Sequence, residues 1–248
     1  MRICIFENAL DLGSHSAMVV SMHIRRALQE KGECSIILAT GTSQLTMLDA
    51  LVKDHDIDWT KVEVFHLDEY VGIPETHKAS FRKYLRERFA DRVPGLRSFH
   101  YIKADADDLS KEIARLSDLI SSKNIDVACI GIGEIGHLAF NDPPANLDTK
   151  EPYLIVQLDE ACRRQQVGEG WFDDLTEVPM QAISMSIPQI LKSECIICTV
   201  PDKRKAEAVR MAVTAPIDPI HPCASLRMHK NCYLMLDHSA ASLICPLS

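Results

Sequence analysis

The stretch that decides the fold is residues 125–143, IDVACIGIGEIGHLAFNDP. Its first part, Val127–Ile130, is a short apolar run that predicts a buried strand. The glycines that follow allow a sharp turn and a close approach of the backbone to a ligand: Gly131, Gly133 and Gly136. His137 and Asp142 then stand in an otherwise apolar segment. This arrangement is typical of the carboxyl edge of the strands in an open α/β sheet.

This stretch alone does not establish a function. A single histidine after a glycine-rich turn is often structural, and Gly-x-Gly is weak evidence for a nucleotide site. Gly131, Gly133 and Gly136 have the Gly-x-Gly-x-x-Gly spacing of the dinucleotide fingerprint, but the fingerprint also needs a helix that starts at this turn, and the sequence predicts none directly after it. A functional interpretation of His137 therefore needs further motifs elsewhere in the chain.

Length and composition favour one globular α/β domain spanning residues 1–248. The net charge is −8 and there is no basic block, so we expect no nucleic-acid partner. No apolar stretch approaches the roughly 18–20 residues of a membrane span, so we expect no membrane partner. The apolar run at residues 1–6 is too brief for a secretory signal, and a cytoplasmic protein is expected.

The cysteine count of nine is high and odd, but most of the cysteines lie inside apolar runs. In a chain without an export signal these are expected to be reduced core thiols. Cys195 and Cys198 have the spacing of a metal or redox pair. They lie in a strand-like run, and no second Cys/His pair has zinc spacing, so a core role is favoured.

Apolar patterning predicts strands that alternate with helices. Predicted strands cover residues 2–6, 34–39, 62–67, 97–102, 125–130, 153–156, 182–187, 194–200 and 233–236. Predicted helices cover residues 14–31, with Ser14 as N-cap and Gly32 as the stop, and 44–52, 79–89, 107–121, 159–167 and 203–213. The order indicates a doubly wound, mostly parallel sheet, with residues 182–187 patterned like an antiparallel strand. The polar region 144–180 is predicted to be a flap over a site.

Three further motifs follow predicted strands. The loop Thr40-Gly41-Thr42-Ser43 precedes a helix, so its backbone N–H groups and hydroxyls can cradle a small anion; the alternative is an ordinary helix cap. It lacks the Gly-Lys-Ser/Thr of a nucleotide-binding loop. Adjacent acids, Asp68 and Glu69, should point in opposite directions, so one can face a pocket as a base; the alternative is a pair of solvated turn acids.

The third motif is Lys203-Arg204-Lys205 at the start of a helix. Cations there oppose the helix dipole, so phosphate binding would explain them better than stability does, although a solvated charge run is the alternative. The doubly wound sheet brings all of these strand ends onto one edge. Their coincidence favours a functional site.

The motifs Asp68-Glu69-Tyr70-Val71-Gly72 and Gly131-Ile-Gly-Glu-Ile-Gly-His137-Leu-Ala-Phe-Asn141-Asp142-Pro143, together with the Thr40-Gly41 loop, resemble those of the glucosamine-6-phosphate deaminase (isomerase) family. The 6-phosphogluconolactonases share that fold. The resemblance covers nearly the whole chain. A lactonase would be expected to carry Asp-Glu-Arg at the first motif and a Gly-His-Thr-Ala-Ser type sequence at the second, and this chain has neither.

The resemblance implies roles for individual residues. Asp68 matches the base that moves a proton between C2 and C1 of the open-chain sugar, and His137 matches the residue that opens the pyranose ring. Asp142 matches an acid that orients the imidazole. The groups implied to hold the 6-phosphate are Thr40, Gly41, Thr42, Ser43, Lys205 and an arginine of the flap, with Arg164 favoured over Arg163. No metal or organic cofactor is implied. Family members range from monomers to hexamers, and we expect at least a dimer.

The chain departs from the family pattern at several positions. The family usually has an acid two residues before the histidine, where this chain has Ile135, and Glu where it has Asp142. Because isoleucine accepts no hydrogen bond, Asp142 acts alone or Glu134 replaces the missing acid. Thr42 and Ser43 also differ from the usual glycine and threonine. These differences predict a divergent member, with galactosamine-6-phosphate as an alternative substrate or with weaker turnover.

Two other functions stay open at this point. One is a lactonase-like hydrolase of a sugar-phosphate lactone. The other is a protein that binds a sugar phosphate without turning it over.

Overall fold

The computed structural model describes residues 1–245. Its strands are β1 (Arg2–Phe6), β2 (Cys34–Leu38), β3 (Val62–His66), β4 (Asp68–Tyr70), β5 (Ser98–His100), β6 (Val127–Ile130), β7 (Tyr153–Gln157), β8 (Gln181–Met185), β9 (Cys195–Val200) and β10 (Cys232–Asp237). Its α-helices are α1 (Ala9–Lys31), α2 (Leu45–Leu51), α3 (Phe81–Arg88), α4 (Leu109–Ser121), α5 (Glu160–Gly168), α6 (Ile187–Ile190) and α7 (Ala206–Thr214). Short 3-10 turns include Thr42–Gln44 and Lys203–Lys205.

Seven strands form one sheet in the order β1-β10-β9-β6-β2-β3-β5. Every neighbouring pair in this sheet is parallel. Parallel neighbours need crossover connections, and helices supply most of them, which places helices on the faces of the sheet. The predicted doubly wound, mostly parallel α/β fold is confirmed.

Alternate side chains of the central strands enter separate cores. In β6, Ala128 and Ile130 belong to one buried cluster, whereas Val127 and Cys129 belong to another. All four side chains are inaccessible to solvent. Because successive residues of a strand point to opposite faces, an uninterrupted apolar run is what a sheet covered on both faces requires.

The strand order reverses next to β6. From β2 the chain adds β3 and β5 towards one edge of the sheet, whereas from β6 it adds β9 and β10 towards the other. The connections that leave the carboxyl ends of β2 and β6 therefore diverge and leave a crevice between them. In open α/β sheets this position is where ligands bind.

A second, three-stranded sheet has the order β4-β8-β7 and is antiparallel throughout. The predicted antiparallel character of residues 182–187 is confirmed in β8. In β4, Asp68 pairs with Ser184 of β8. Asp68 is therefore held in a separate short strand that begins two residues after the end of β3. This strand was not predicted, because three residues are too few to show a period of two.

Helix α1 begins earlier than predicted. Its N-cap is Asn8, whose side chain accepts hydrogen bonds from the N–H groups of Leu10 and Asp11, so Ser14 is not the cap. Gly13 lies inside the helix. A β carbon there would come within 2.4 Å of the β carbon of Thr46, so the glycine permits close packing of α1 on α2. The predicted stop at Gly32 is confirmed.

The nine cysteines are free thiols, and seven of them are buried. Cys195 and Cys198 lie in β9 and belong to different buried clusters on opposite faces of the sheet. Because they face away from each other, they cannot bind one metal ion or form a disulfide without breaking the strand. Within residues 1–245, no helix is long and apolar enough to cross a membrane.

Candidate active site

A cavity that is partly open to solvent lies where the strand order reverses. Residues 39–43 line it from the carboxyl end of β2, and residues 131–133 line it from the end of β6. Asp68, His137 and Lys205 also line it. The motifs singled out in the sequence therefore meet in one place, as the doubly wound topology requires.

The carboxyl group of Asp68 has no hydrogen-bond partner within residues 1–245. Its exposed fraction is 6%, and Glu69 carries a second carboxylate next to it. Burial, and to a smaller extent the charge of Glu69, raises the pKa of Asp68 to about 8. A carboxyl group with such a pKa is a base matched to proton transfer near neutral pH.

Glu69 faces away from the cavity and is completely buried. Its two oxygens accept hydrogen bonds from the hydroxyl of Ser80 at 3.0 Å and from the backbone N–H groups of Tyr70, Phe81 and Arg82. Burial raises the pKa of Glu69, and these four hydrogen bonds act against that shift because they stabilise the ionised carboxylate. The two adjacent acids thus differ as the alternation of strand side chains predicts: Asp68 faces the cavity and Glu69 anchors the start of α3.

His137 ends the glycine-rich turn after β6. The turn is closed by hydrogen bonds from the N–H of Gly133 to the carbonyl of His137 at 2.9 Å and from the N–H of Gly136 to the carbonyl of Gly133 at 3.0 Å. Gly136 has a φ of +84°, which few other residues tolerate. The turn folds the imidazole back over Gly133, so the ring lines the cavity.

Asp142 lies on the far side of this imidazole. Its Oδ1 is 3.0 Å from Nδ1 of His137, but the two groups are not aligned as a regular hydrogen bond. Its Oδ2 accepts a hydrogen bond from the N–H of Asp159 at 2.9 Å. Asp159 is the N-cap of α5. The acid that faces His137 is therefore positioned by the start of α5.

His137, Asp142 and Cys162 form the one cluster in residues 1–245 with the ligand types of a metal site, and their ligand atoms lie within 4.8 Å of one another. Burial, the largest cause, together with Asp142 raises the pKa of the Cys162 thiol far above its ordinary value. Oδ1 of Asp142 also lies 3.0 Å from Nδ1 of His137, and we assign this acid to the imidazole.

The loop Thr40-Gly41-Thr42-Ser43 is held rigidly at the end of β2. Gly41 has a φ of +93°, and its carbonyl accepts a hydrogen bond from the hydroxyl of Tyr84 at 2.9 Å. Beneath the loop, Nε2 of Gln44 donates to the carbonyl of Ile130 at 3.1 Å and to the hydroxyl of Thr199 at 2.6 Å. The first N–H groups of the Thr42–Gln44 turn have no acceptor within the turn, so they are available to an anion.

Lys205 is the member of the Lys203-Arg204-Lys205 run that lines the cavity. Its exposed fraction is 5%, and burial lowers the pKa of its ammonium group. Lys203 and Arg204 are exposed, and Arg204 forms an ion pair with Asp202 at 2.9 Å. We call the part of the cavity lined by residues 40–43 and Lys205 the anion pocket.

The two arginines of the predicted flap do not line the cavity. Arg164 is two-thirds exposed and forms an ion pair with Glu160 one turn away on the outside of α5. The guanidinium of Arg163 donates hydrogen bonds to the carbonyl oxygens of Leu175 and Val178. Both arginines therefore stabilise α5 and the segment after it, and neither contacts the anion pocket in this structure.

Helix α5 instead lines the cavity with residues that the sequence motifs did not include. These are Gln165, Gln166 and Glu169. Cys162 and Gln166 are buried, and the side chain of Glu169 is only 6% exposed. Cys162, Gln166 and Glu169 are spaced by four and then three residues, which places them on one face of a helix. This spacing is the sequence signal from which the cavity-lining face of α5 could have been predicted. It was missed because the helix is polar in composition.

The missing acid at Ile135 is not replaced by Glu134. Ile135 packs against a buried apolar cluster that contains Tyr70 and Phe140. The carboxylate of Glu134 lies 3.7 Å from the guanidinium of Arg204, and its side chain does not line the cavity. Of the acids considered from the sequence, Asp142 is the one that contacts the imidazole.

The chain is similar to known proteins over almost its whole length. A family model described as glucosamine-6-phosphate isomerases/6-phosphogluconolactonase matches residues 7–235. A protein of Exiguobacterium sibiricum named glucosamine-6-phosphate deaminase is 34% identical over 244 residues, which cover 98% of this chain and 93% of the relative. An Oenococcus oeni protein of the same name is 29% identical over 244 residues, 98% of this chain and 99% of the relative.

Solved structures give the same result for the fold. A structure described as a monomeric glucosamine-6-phosphate deaminase superposes with a TM-score of 0.89 at 27% identity and covers 98% of this chain and 100% of its own. The 6-phosphogluconolactonase of Trypanosoma brucei has a TM-score of 0.78 at 18% identity, with 98% of each chain covered, and shows the fold alone. The expected dimer is not supported by these structures and stays a prediction. The match across residues 7–235 and the 34% identity confirm the resemblance seen in the motifs: the chain belongs to the family of glucosamine-6-phosphate isomerases and 6-phosphogluconolactonases.

Proposed function

We propose that this enzyme converts glucosamine-6-phosphate to fructose-6-phosphate and ammonia. The observation that carries the proposal is one cavity lined by a buried carboxyl group, an imidazole and an anion pocket: Asp68, His137, residues 40–43 and Lys205. The relatives of the same name, at about 30% identity over nearly the whole chain, support the same reaction.

Asp68 is the proposed base. In its ionised form it removes the proton from C2 of the open-chain sugar, which gives an enolamine, and the proton is returned at C1. The imine that results at C2 is then hydrolysed by water to the ketone, with release of ammonia. Proton transfers and one water molecule account for the whole reaction. The pKa of about 8 supports this role, because the carboxylate that forms near neutral pH is more basic than an exposed one.

His137 is the proposed catalyst of ring opening. Opening a pyranose requires that a proton be taken from the C1 hydroxyl and that one be given to the ring oxygen. An imidazole exchanges protons near pH 7. Asp142, 3.0 Å from Nδ1, is the proposed positioning acid, and it favours the orientation in which Nε2 faces the sugar.

The anion pocket is the proposed site of the 6-phosphate. The hydroxyls of Thr40, Thr42 and Ser43, the backbone N–H groups of the loop and the ammonium of Lys205 are all donors. Arg164 has no proposed contact with the phosphate, because its guanidinium is bound to Glu160 on the surface. We propose that residues 144–180, which include α5, act as a lid over this pocket.

The test is ammonia release from glucosamine-6-phosphate, with galactosamine-6-phosphate assayed in parallel to identify the preferred epimer. The Asp68→Asn variant removes the base and keeps the size of the side chain. We expect it to lower kcat by about 100-fold or more. Asp107→Asn, an exposed aspartate outside the cavity, is the matched control.

The proposal fails if the folded protein releases no ammonia from either amino sugar phosphate. Hydrolysis of 6-phosphogluconolactone that survives Asp68→Asn would instead identify a lactonase-like enzyme. Binding of the sugar phosphates without any turnover would identify a binding protein.

A further inference from the structure

The lysine of the anion pocket, Lys205, already forms an ion pair with the carboxylate of Glu169. Oε1 of Glu169 is 3.6 Å from Nζ of Lys205, and each side chain is only 6–7% exposed. Lys205 is the one cation of residues 1–245 that lines the cavity, so this ion pair neutralises the positive charge that would attract a phosphate.

The carboxylate of Glu169 is held by further donors. Nε2 of Gln165 donates to Oε1 at 2.7 Å, and Nε1 of Trp171 donates to Oε2 at 3.2 Å. The carbonyl oxygen of the Gln165 side chain accepts a hydrogen bond from the N–H of Glu134 at 2.8 Å, in the glycine-rich turn. Glu169 therefore connects α5, the turn that carries His137 and the lysine of the anion pocket.

A phosphate at Lys205 would meet this carboxylate. Phosphate and the Glu169 carboxylate are both anions that would bind the same ammonium group. Two anions that share one cation in a buried pocket repel each other strongly. The neighbouring cation Arg204 does not reduce this repulsion, because its guanidinium already forms ion pairs with Asp202 and Glu134. Phosphate binding therefore favours a state in which Glu169 has left Lys205.

The local backbone allows such a movement. Glu169 is the C-cap of α5, so it lies at the end of the helix and not within it. The next residue, Gly170, has a φ of +81° with no atom of another residue within 4 Å of where a β carbon would lie. A residue at a helix end followed by an unencumbered glycine can change its conformation without disturbing the sheet.

We propose that Glu169 is an internal anion that occupies the lysine of the anion pocket in the free enzyme and must leave it when a phosphorylated substrate binds. It thereby weakens phosphate binding and sets the affinity for the substrate. This inference rests on the proposed function of the anion pocket. It assigns to Glu169 a role in substrate affinity, distinct from the proton transfers assigned to Asp68 and His137.

The experiment is calorimetric titration of the enzyme with inorganic phosphate, which requires no turnover. Glu169→Gln removes the charge and keeps the shape and hydrogen-bonding capacity of the side chain. We expect it to lower the dissociation constant for phosphate by about tenfold or more, since a like charge beside the ligand is lost. Glu160→Gln makes the same charge change on the exposed side of α5 and is the matched control, with an unchanged dissociation constant expected.

The double variant Lys205→Met/Glu169→Gln tests whether the tighter phosphate binding depends on Lys205. If the tighter phosphate binding occurs at Lys205, the double variant loses it. Thermal unfolding of each variant establishes that the protein is folded. The KM for glucosamine-6-phosphate should fall in Glu169→Gln in parallel with the dissociation constant for phosphate.

Weaker or unchanged phosphate binding in Glu169→Gln overturns the inference, because it would mean that Glu169 orients Lys205 for the ligand or has no effect on it. Absence of phosphate binding in every variant overturns it as well. These outcomes are distinguishable from failure of the proposed reaction. Tighter phosphate binding without ammonia release would reject the reaction alone, and ammonia release with weaker phosphate binding would reject this inference alone.

Discussion

A β carbon at position 133 would lie 1.9 Å from Nε2 of His137. No pair of nonbonded atoms tolerates such a distance, so the imidazole can occupy its place in the cavity only because residue 133 is glycine. The glycine of the motif thus has a steric role in the site, in addition to its role in the turn.

We expect Gly133→Ala to displace the imidazole and to lower kcat/KM for the amino sugar phosphate by at least about 100-fold, since a misplacement of about 1 Å has that effect on proton-transfer catalysts. Steady-state ammonia release measures it. Gly168→Ala is the matched control, because a β carbon there meets no atom within 4 Å. Near-normal activity of Gly133→Ala would show that the ring is not used where the structure places it.

The raised pKa of Asp68 gives the activity a defined pH dependence. The protonated carboxyl group cannot accept the C2 proton, and it predominates below the pKa. We therefore expect kcat/KM to rise with pH and to level off above about pH 8, well above the value of roughly 4 of an exposed aspartate. Binding of inorganic phosphate over the same range is the control, because it reports the titration of the ligand without that of Asp68. A limb near pH 4 would contradict the prediction.

The same shift affects stability. In the unfolded chain Asp68 ionises near pH 4, whereas in the folded protein it ionises at about 8. The folded state thus binds the extra proton between these values. The contribution of Asp68 to the free energy of unfolding is greatest below about pH 4 and is lost as the pH rises towards 8. Asp68→Asn should flatten this part of the profile, so chemical denaturation of both proteins from about pH 5 to pH 8 tests it. Parallel profiles would show that the site does not shift this pKa.

Asp142 is expected to act through His137. We expect Asp142→Asn to lower kcat by roughly 100-fold with a smaller effect on KM, because an asparagine cannot stabilise the protonated imidazole. If the role is positioning, the pH profile of kcat will change as well, and Asp142→Glu will recover part of the activity. Equal losses in Asp142→Asn and Asp142→Glu with an unchanged pH profile would indicate that Asp142 merely holds the N-terminus of α5 through Asp159.

Substitutions of Lys205 and Arg164 should have very different effects on KM. We expect Lys205→Met to raise KM by about 10- to 100-fold, since hydrogen bonds to charged groups contribute about 1.5–3 kcal/mol. Arg164→Ala should change KM by less than about twofold, because it breaks only an exposed ion pair with Glu160. A large increase of KM in Arg164→Ala would show that the arginine reaches the phosphate when the lid closes, as the family resemblance implied.

Much of the fold follows from local patterning. The uninterrupted apolar run at Val127–Ile130 requires a strand buried on both faces, and Gly32 ends α1 because only glycine adopts its left-handed backbone readily. The predicted N-cap of α1, Ser14, was wrong, because the hydrogen bonds that make Asn8 the N-cap are seen only in the structure. The close approach of Gly13 to Thr46 is likewise a property of the packed structure and leaves no periodic signal.

The sequence by itself determined that Asp68, His137, residues 40–43 and Lys205 follow strands of a parallel sheet, because strand periodicity and glycine turns are local. Only the tertiary structure decided which groups face the cavity. It directed Asp68 into the cavity and buried Glu69 on the other side of the strand, placed Arg164 on the surface, and brought Glu169 of α5 to Lys205. The reason is physical: the direction of a helix face and the pKa of a buried acid depend on burial and on neighbours that are distant in the sequence.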